Sequence, residues 1–236
     1  MALPTLENPT YELIVPSLNK KIKYRPFTVK EEKVLLIALE SEDNTQIADA
    51  IKGIIEACVN TGSRRTLKIN ELATFDIEYL FLNIRARSVG EIIELMLTCP
   101  DDNETEIKVS INIEDIQVQF DEEHESTIQL TDDLWIEMGY PGIDSFTGDD
   151  DNIDDTFEII AKSIKRIYNE EDVWDRSSAK QSEFVDFVEN MNSKQFAKIQ
   201  KFFDTIPTLK HTIKARNPKT GYEFDYTVEG LSSFFV

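Results

Sequence analysis

The sequence is poor in the residue types that carry metal or redox chemistry. It contains two cysteines, Cys58 and Cys99, and two histidines, His124 and His211, all in separate segments of the 236 residues. Two distant cysteines provide no disulfide framework and suit a reducing compartment. A structural zinc site needs closely spaced Cys or His ligands, which the turn at Cys99 lacks. We therefore predict no disulfide, no bound metal and no cofactor.

Long apolar runs are also missing. No stretch of about 18 consecutive apolar residues occurs, so no segment is predicted to span a membrane. The first residues, MALPTLENPTYEL, lack the basic region and apolar core of a secretory signal peptide. These two absences predict a protein that remains in the cytoplasm where it is made.

Clusters of basic residues are rare as well. The 45 acidic residues outnumber the 25 basic ones, which gives a formal net charge of -20. Binding to nucleic acid or to an anionic membrane is disfavoured, because this excess of acidic charge repels phosphates. Such a charge either steers the chain to a basic surface of a partner protein or only keeps it soluble. Charge alone leaves both interpretations open.

Catalytic motifs are absent too. The sequence has no G-x-S-x-G, no P-loop and no G-x-G-x-x-G. His211 falls on the apolar side of its predicted strand, which fits a core histidine better than a general base. His124 lies in the acidic run DEEHES, where we expect neighbouring carboxylates to favour its protonated form. We therefore expect no catalytic residues and no enzyme.

Alternation of apolar residues is the strongest structural signal present. Two alternating runs flank a turn at Cys99-Pro100: Ile93, Leu95, Leu97 and Cys99 before it, and Ile107, Val109, Ile111 and Ile113 after it. A period of two predicts a β-hairpin with one buried face. The same pattern predicts an N-terminal hairpin over residues 11–24 and a closing hairpin over residues 209–228.

Helical periodicity predicts three helices between the first two hairpins and three more before the last. The run from Val34 to Leu39 is apolar on nearly every side, so the first helix is predicted to be covered by its neighbours. An apolar stripe from Phe157 to Tyr168 predicts one amphipathic helix. Residues 169–181 are predicted to form a polar connector, and two short helices follow it.

These elements predict an α+β protein in which β-hairpins with antiparallel strands pack with helical segments. The Gly/Pro/Asp-rich stretch YPGIDSFTGDDDNIDD marks a module boundary. We predict an N-terminal hairpin, three-helix and hairpin module over residues 1–143. A second module over residues 144–236 is predicted to contain the acidic linker, the helices and the C-terminal hairpin.

Three stretches carry a resemblance to a known family. They are PTYELIVPSLNKKIKYRPFTVKEEKVLLIALES, FDIEYLFLNIRARSVGE and LTCPDD, which cover much of the first half. They are similar to the T4-like bacteriophage baseplate hub assembly protein family, which the C-terminal hairpin resembles more loosely. The resemblance implies a viral assembly role, phage baseplate hub or central tail proteins as partners, and the cytoplasm of an infected bacterial host. It brings no catalytic residues with it.

The favoured function is a chaperone-like hub assembly factor that binds its partner stoichiometrically. One alternative is a permanent structural subunit of the baseplate. Another is an acidic mimic of nucleic acid that binds a host protein. Presence in the finished virion and self-association stay open at this point.

Nine residues are the candidates for binding a partner: Asp149, Asp150, Asp151, Asp154, Asp155, Trp174, Leu231, Phe234 and Phe235. The aspartates belong to an acidic segment from Asp144 to Asp175 that lacks the calcium-loop pattern and is expected to steer a basic partner. Trp174 is the only large apolar residue of the predicted polar connector. The C-terminal aromatics either form a docking anchor or fold back onto the closing hairpin.

Overall fold

The computed structural model describes residues 6–59, 67–146 and 153–230. Within these ranges the chain forms six α-helices and eleven β-strands, and every strand pairing is antiparallel. The predicted α+β fold is therefore confirmed. The chain packs as two compact units, one formed by residues up to Gln119 with those from Thr208 onward, the other by Phe120–Pro207.

The elements follow one another along the chain as a series of hairpins and short helices. In order they are β1 (Tyr11–Val15), β2 (Lys20–Tyr24), α1 (Val29–Glu40), α2 (Asn44–Val59), α3 (Thr74–Ser88), β3 (Ile92–Thr98), β4 (Glu106–Asn112), β5 (Gln117–Gln119), β6 (Thr127–Gln129), β7 (Trp135–Met138), α4 (Ile153–Ser163), β8 (Ile164–Tyr168), β9 (Val173–Asp175), α5 (Gln181–Glu189), α6 (Ser193–Asp204), β10 (Thr208–Arg216) and β11 (Glu223–Glu229).

Helix α3 is the most deeply buried element of the first unit. Six of its apolar side chains are at most 2% exposed: Phe75, Ile77, Leu80, Phe81, Leu82 and Ile84. Asp76 is also fully buried, and it accepts hydrogen bonds from the backbone N–H (2.9 Å) and the hydroxyl of Ser17 in the β1–β2 turn. Burial raises the pKa of Asp76 above its ordinary value. These buried residues show that α3 is enclosed on more than one side.

The central hairpin has the predicted buried face. Strands β3 and β4 pair along their full length, and Ile93, Leu95, Leu97 and Cys99 are at most 4% exposed. Ile111 and Ile113 of the return segment are also buried, whereas Ile107 and Val109 are half-buried. This face packs in one apolar cluster with Leu82 and Ala86 of α3 and with Leu209 and Val228 of the closing hairpin.

The closing hairpin forms where it was predicted and joins a third strand. β10 pairs with β11, and it also pairs with β5 through Leu209 and Val118. This second pairing places the chain from Thr208 onward in the first unit, so the two compact units differ from the contiguous modules predicted at residues 1–143 and 144–236. The buried apolar residues of this hairpin, Leu209 and Val228, lie at its base, whereas Tyr226 and Tyr222 are 41% and 51% exposed.

The turns of the last two hairpins of this unit are fastened to each other. The buried Asn217 amide donates to Asp101 Oδ1 (2.9 Å) and Asp102 Oδ2 (3.1 Å) and accepts from the Lys219 N–H (2.8 Å). Thr220 Oγ1 donates to Asp101 as well. We call these contacts the two-turn clasp.

Helix α1 is where the predicted enclosure is wrong. Val34, Leu36 and Ile37 are 51%, 54% and 56% exposed, and only Leu35 and Ala38 of this helix are buried. The helix packs against α2. Packing against one neighbouring helix buries a single stripe of α1 and leaves its other apolar sides exposed.

The second unit combines a four-stranded sheet in the order β6, β7, β8, β9 with three helices. They share one apolar core: Ile128, Leu130, Ile136, Met138, Ile160, Ala161, Ile164, Ile167, Phe184, Val188, Ile199 and Phe202. The two short helices α5 and α6 lie where they were predicted. The residue that caps α6 is Asn192, whose side chain accepts from the N–H groups of Lys194 and Gln195.

The predicted helix through Tyr168 is wrong in its second half. Helix α4 ends at Ser163, and Ile164–Tyr168 is strand β8, in which Ile164 pairs with Met138 and Ile167 with Ile136. The register shifts between Glu137 and Met138, so two isoleucines three residues apart are both buried in a strand. A spacing of three residues is also found in the apolar stripe of a helix, which explains why a helix was predicted here. The predicted polar connector is also wrong in part, since it contains strand β9.

Candidate protein-binding site

The structure describes few of the residues predicted to bind a partner. Trp174 lies in β9 and is 41% exposed. The other eight are distributed as follows: Asp149, Asp150, Asp151, Leu231, Phe234 and Phe235 lie outside the described residues, as do the side chains of Asp154 and Asp155, whose backbone belongs to the start of α4. Trp174 is therefore the residue from which a site can be built.

Strand β9 holds Trp174 at the border of the second unit's sheet. Trp174 pairs with Ile167 of β8, and Ile167 pairs with the fully buried Ile136 of β7. Side chains of directly paired residues lie on the same face of a sheet. The indole consequently extends the apolar face of the sheet to its last strand, where it is only partly covered.

A cavity of about 320 Å³ opens beside this indole. Its lining is Leu134, Ile167, Trp174, Ala179, Glu183, Phe184 and Phe187. Six of these seven side chains are apolar, and Glu183 is the charged one. A volume of this size has room for a large apolar side chain, since a cavity of about 150 Å³ already holds benzene. The cavity lies within the second unit, between the sheet face and the first turns of α5.

Helix α5 is fixed in place at this cavity by its own first turn. The Glu183 carboxylate accepts from the Lys180 backbone N–H (2.7 Å), which satisfies a donor left free at the start of the helix. The Arg176 guanidinium lies 4.6 Å from the ring centre of Phe184 and donates to the Ala161 carbonyl (3.0 Å). The aromatic wall of the cavity is thus held by the helix cap, by the cation–π contact of Arg176 with Phe184, and by the hydrogen bond from the Arg176 side chain to the Ala161 carbonyl.

The surroundings of the cavity are acidic. Residues 170–189 contain seven carboxylates and two basic side chains. Glu170, Glu171, Asp172, Asp175 and Asp186 are all exposed. Among the residues that the structure describes, none of these five forms an ion pair. The field at the mouth of the cavity therefore favours a positively charged ligand.

Sequence reasoning found one wall of this site and missed the other. Trp174 was predicted to bind a partner because a lone large apolar residue in a polar stretch is often exposed. Phe184 and Phe187 have the spacing of an apolar stripe on a short helix, which indicates core residues, and Phe184 does belong to the core. A gap between a helix and a sheet does not change the hydrophobic periodicity of either element, so the cavity could not be predicted from the sequence.

Side chains with catalytic or ligand chemistry are dispersed elsewhere. Within residues 6–59, 67–146 and 153–230, no three Cys, His, Asp or Glu side chains gather as metal ligands. Cys58 is fully buried, and burial raises its pKa to about 11. Its thiol is therefore protonated at neutral pH and is a poor nucleophile. No helix in the same ranges is long and apolar enough to cross a membrane.

His124 differs from its prediction. Its ring stacks on Tyr140, with 5.4 Å between the ring centres, and Nδ1 lies 2.9 Å from Thr205 Oγ1. Its Nε2 is buried and has no hydrogen-bond partner among the described residues. Burial lowers the pKa of His124 and outweighs the nearby Asp121. The expectation that acidic neighbours favour the protonated ring is wrong, because the ring leaves water whereas the carboxylates of the run remain exposed.

We expect acidification to destabilise the second unit through His124. Below about pH 6.5 the unfolded chain binds a proton that the folded histidine, with its lowered pKa, does not yet bind. Stability is therefore complete above that pH and declines as the pH falls. Both tryptophans belong to this unit, so urea unfolding followed by their fluorescence at about pH 7.5 and 5.5 measures the change. A His124→Gln variant should lose less stability over this interval than the natural chain. Equal losses in the two proteins would contradict the assignment.

Comparison with known proteins gives one match. A family model described as "T4 bacteriophage base plate protein" matches residues 8–236, which is nearly the whole chain. No curated protein and no solved structure matches the chain.

Proposed function

Because the chain belongs to the T4 bacteriophage base plate protein family, we propose that it is a baseplate hub assembly factor that acts by stoichiometric protein binding. It holds a hub or central tail protein in a state competent for assembly, in the cytoplasm of the infected bacterial host. It makes and breaks no covalent bond. The observation that carries this proposal is the family match over residues 8–236.

Two features of the surface support binding as the mode of action. The cavity beside Trp174 leaves an apolar lining open to water within an acidic border. A concave, mostly apolar site with a charged group at its border is the usual form of a binding site. The net charge of -20 keeps the free chain soluble until it meets a complementary surface, as an assembly factor requires.

Affinity purification of the tagged chain from infected cells tests this function. We expect a baseplate hub or central tail protein to co-purify in a fixed ratio. We expect mass spectrometry to find no copy of the chain in finished phage particles, since an assembly factor leaves before the particle is complete. Its presence in particles at constant copy number would make it a permanent structural subunit instead. Recovery of host nucleic-acid enzymes in place of tail proteins would indicate a nucleic-acid mimic.

Salt should weaken the complex if the acidic segment from Asp144 to Asp175 steers the partner. We expect the affinity to fall at least about tenfold between about 50 and 500 mM NaCl, because the Debye length shrinks to a few ångströms. Titration calorimetry with the purified partner measures this dependence. As a control, replacing Glu170, Glu171 and Asp172 by their amides should reduce the salt dependence and leave the fold unchanged. An affinity that is the same at both salt concentrations would disprove electrostatic steering.

A further inference from the structure

The outer edge of β9 is open for another strand. Among the described strands, β9 pairs with β8 alone. The Asn169 N–H donates to the Asp172 carbonyl (3.0 Å), and the Arg176 N–H donates to the Lys165 carbonyl (2.9 Å). Bonded pairs alternate in an antiparallel ladder, so Trp174 directs its backbone groups to β8, and Val173 and Asp175 direct theirs outward.

Three of these four outward groups have no partner among the described residues. The Asp175 carbonyl accepts from the N–H (2.8 Å) and the hydroxyl (2.6 Å) of Ser178. The three groups without a partner among the described residues are the N–H and carbonyl of Val173 and the N–H of Asp175. These groups can pair with one extended residue of another chain and with the carbonyl of a second.

The cavity lies where a side chain of such a strand would point. Trp174 faces the cavity, whereas Val173, its neighbour in the strand, lies on the other face of the sheet. In an added strand the residue beside Trp174 therefore points into the cavity, and the two residues flanking it point away. Backbone pairing and a side-chain pocket thus occur together at one edge, which is the arrangement used for strand addition.

Charge identifies the kind of segment that fits. The exposed carboxylates of Glu170, Glu171 and Asp172 lie in the turn that leads into β9. Asp175 is the exposed last residue of β9, and the exposed Asp186 precedes Phe187 on α5. An acidic strand would be repelled from this edge, whereas lysine or arginine side chains flanking the apolar residue would be attracted to it.

We propose that β9 and the adjoining cavity bind an extended basic segment of a partner protein. The segment adds to β9 as a fifth antiparallel or parallel strand, places one large apolar side chain against Trp174 and Phe187, and sets basic side chains beside the acidic border. This inference rests on the proposed function, since it specifies the chemistry of the partner of that same protein-binding site.

A short synthetic peptide tests the binding mode directly. The probe is a peptide of about nine residues in which a central phenylalanine is flanked by alternating lysine and threonine, a pattern that favours an extended strand. The protein is the full chain carrying Trp135→Phe, so that Trp174 is its only tryptophan. We expect saturable binding with a shift of the Trp174 emission to shorter wavelength, because the peptide side chain excludes water from the indole.

Two matched peptides separate the parts of the proposal. Replacing the central phenylalanine by serine, or every lysine by glutamate, should each weaken binding at least about tenfold, as loss of an apolar anchor or of charge complementarity requires. Equal binding by the serine peptide would overturn the role of the cavity. Equal binding by the glutamate peptide would overturn the basic character of the partner, and no saturable binding by the original probe would overturn the proposal.

Two variants of the protein test the same point from the other side. Ala179→Phe fills the cavity and should weaken the probe at least about tenfold. Ser182→Phe adds the same ring on an exposed position of α5 outside the lining and should leave the affinity unchanged. Equal affinities for the two variants would count against the cavity. Saturable binding of the probe with no tail protein recovered from infected cells would sink the proposed function and leave the peptide site standing.

Discussion

Phe81→Ala is expected to lower the free energy of unfolding of the first unit by about 3–5 kcal/mol. Phe81 is fully buried in α3, at the centre of a helix that is enclosed on several sides. Removing its ring loses the transfer free energy and leaves a cavity that rigid neighbours cannot close. Because single domains are stable by only about 5–15 kcal/mol, this change should bring the unit close to unfolding.

Ile37→Ala is the matched control for that variant. Ile37 lies on α1 and is 56% exposed, so truncating it should change stability by less than about 0.5 kcal/mol. Urea unfolding followed by circular dichroism at 222 nm measures both variants against the natural chain. A large loss for Ile37→Ala, or a small one for Phe81→Ala, would mean that the burial described for these two helices is incorrect.

Asn217→Ala is expected to cost about 2 kcal/mol by opening the two-turn clasp. The substitution removes the donor to Asp101 and Asp102 and leaves the Lys219 N–H without its acceptor. A buried hydrogen-bonded side chain whose partners are left unpaired costs about 1–3 kcal/mol. Asn217 also helps to hold the pKa of Asp101 below its ordinary value, so the variant should bring that pKa closer to normal.

Asn190→Ala provides the comparison for the clasp. The Asn190 amide is exposed and donates to one carbonyl, that of Asp186, so its loss should cost well under half as much. Urea unfolding measures the stability of both variants, and NMR titration of the Asp101 carboxyl carbon measures its pKa. If the two asparagine variants lose equal stability, the clasp contributes nothing beyond an ordinary surface hydrogen bond.

The hairpins of this protein could be predicted because their signal is local. In β3 and β4, alternate residues such as Leu95 and Ile111 are buried, and the sequence shows that alternation directly. The same holds for the register of β10 and β11. Their third strand, β5, was not predicted, because three residues such as Gln117–Gln119 give too short a pattern to recognise.

Predictions failed where burial depends on distant neighbours. The apolar side chains of α1 have the pattern of a core helix, yet this helix packs mainly against α2, and Leu35 and Ala38 are its buried residues. Ile164 and Ile167 have the spacing of a helix, yet a register shift in β7 buries both in a strand. The spacing of apolar residues in the sequence determines neither how many elements pack against a helix nor where a strand ladder shifts its register.

The candidate site was predicted only at Trp174. Its cavity needs Phe187 and Ala179 to lie opposite the indole, and this is a consequence of how α5 meets the sheet. Its open strand edge needs β9, which is three residues long and lies in a stretch of polar composition. Both features come from tertiary structure, which a periodicity argument on one segment does not contain.

The pairing of β5 with β10 has a consequence for how the chain is made. Ribosomes release the polypeptide from its N-terminus, so every residue of Phe120–Pro207 emerges before the strand that completes the sheet begun at Gln117. The inserted unit can therefore finish folding while the earlier-synthesised one still waits for its last hairpin. A nascent chain stalled so that Pro207 has left the exit tunnel while Thr208 is still inside it should already shield the half-buried Trp135 from quenching by solvent. Protection of β5 should arise only after β10 has also left the tunnel.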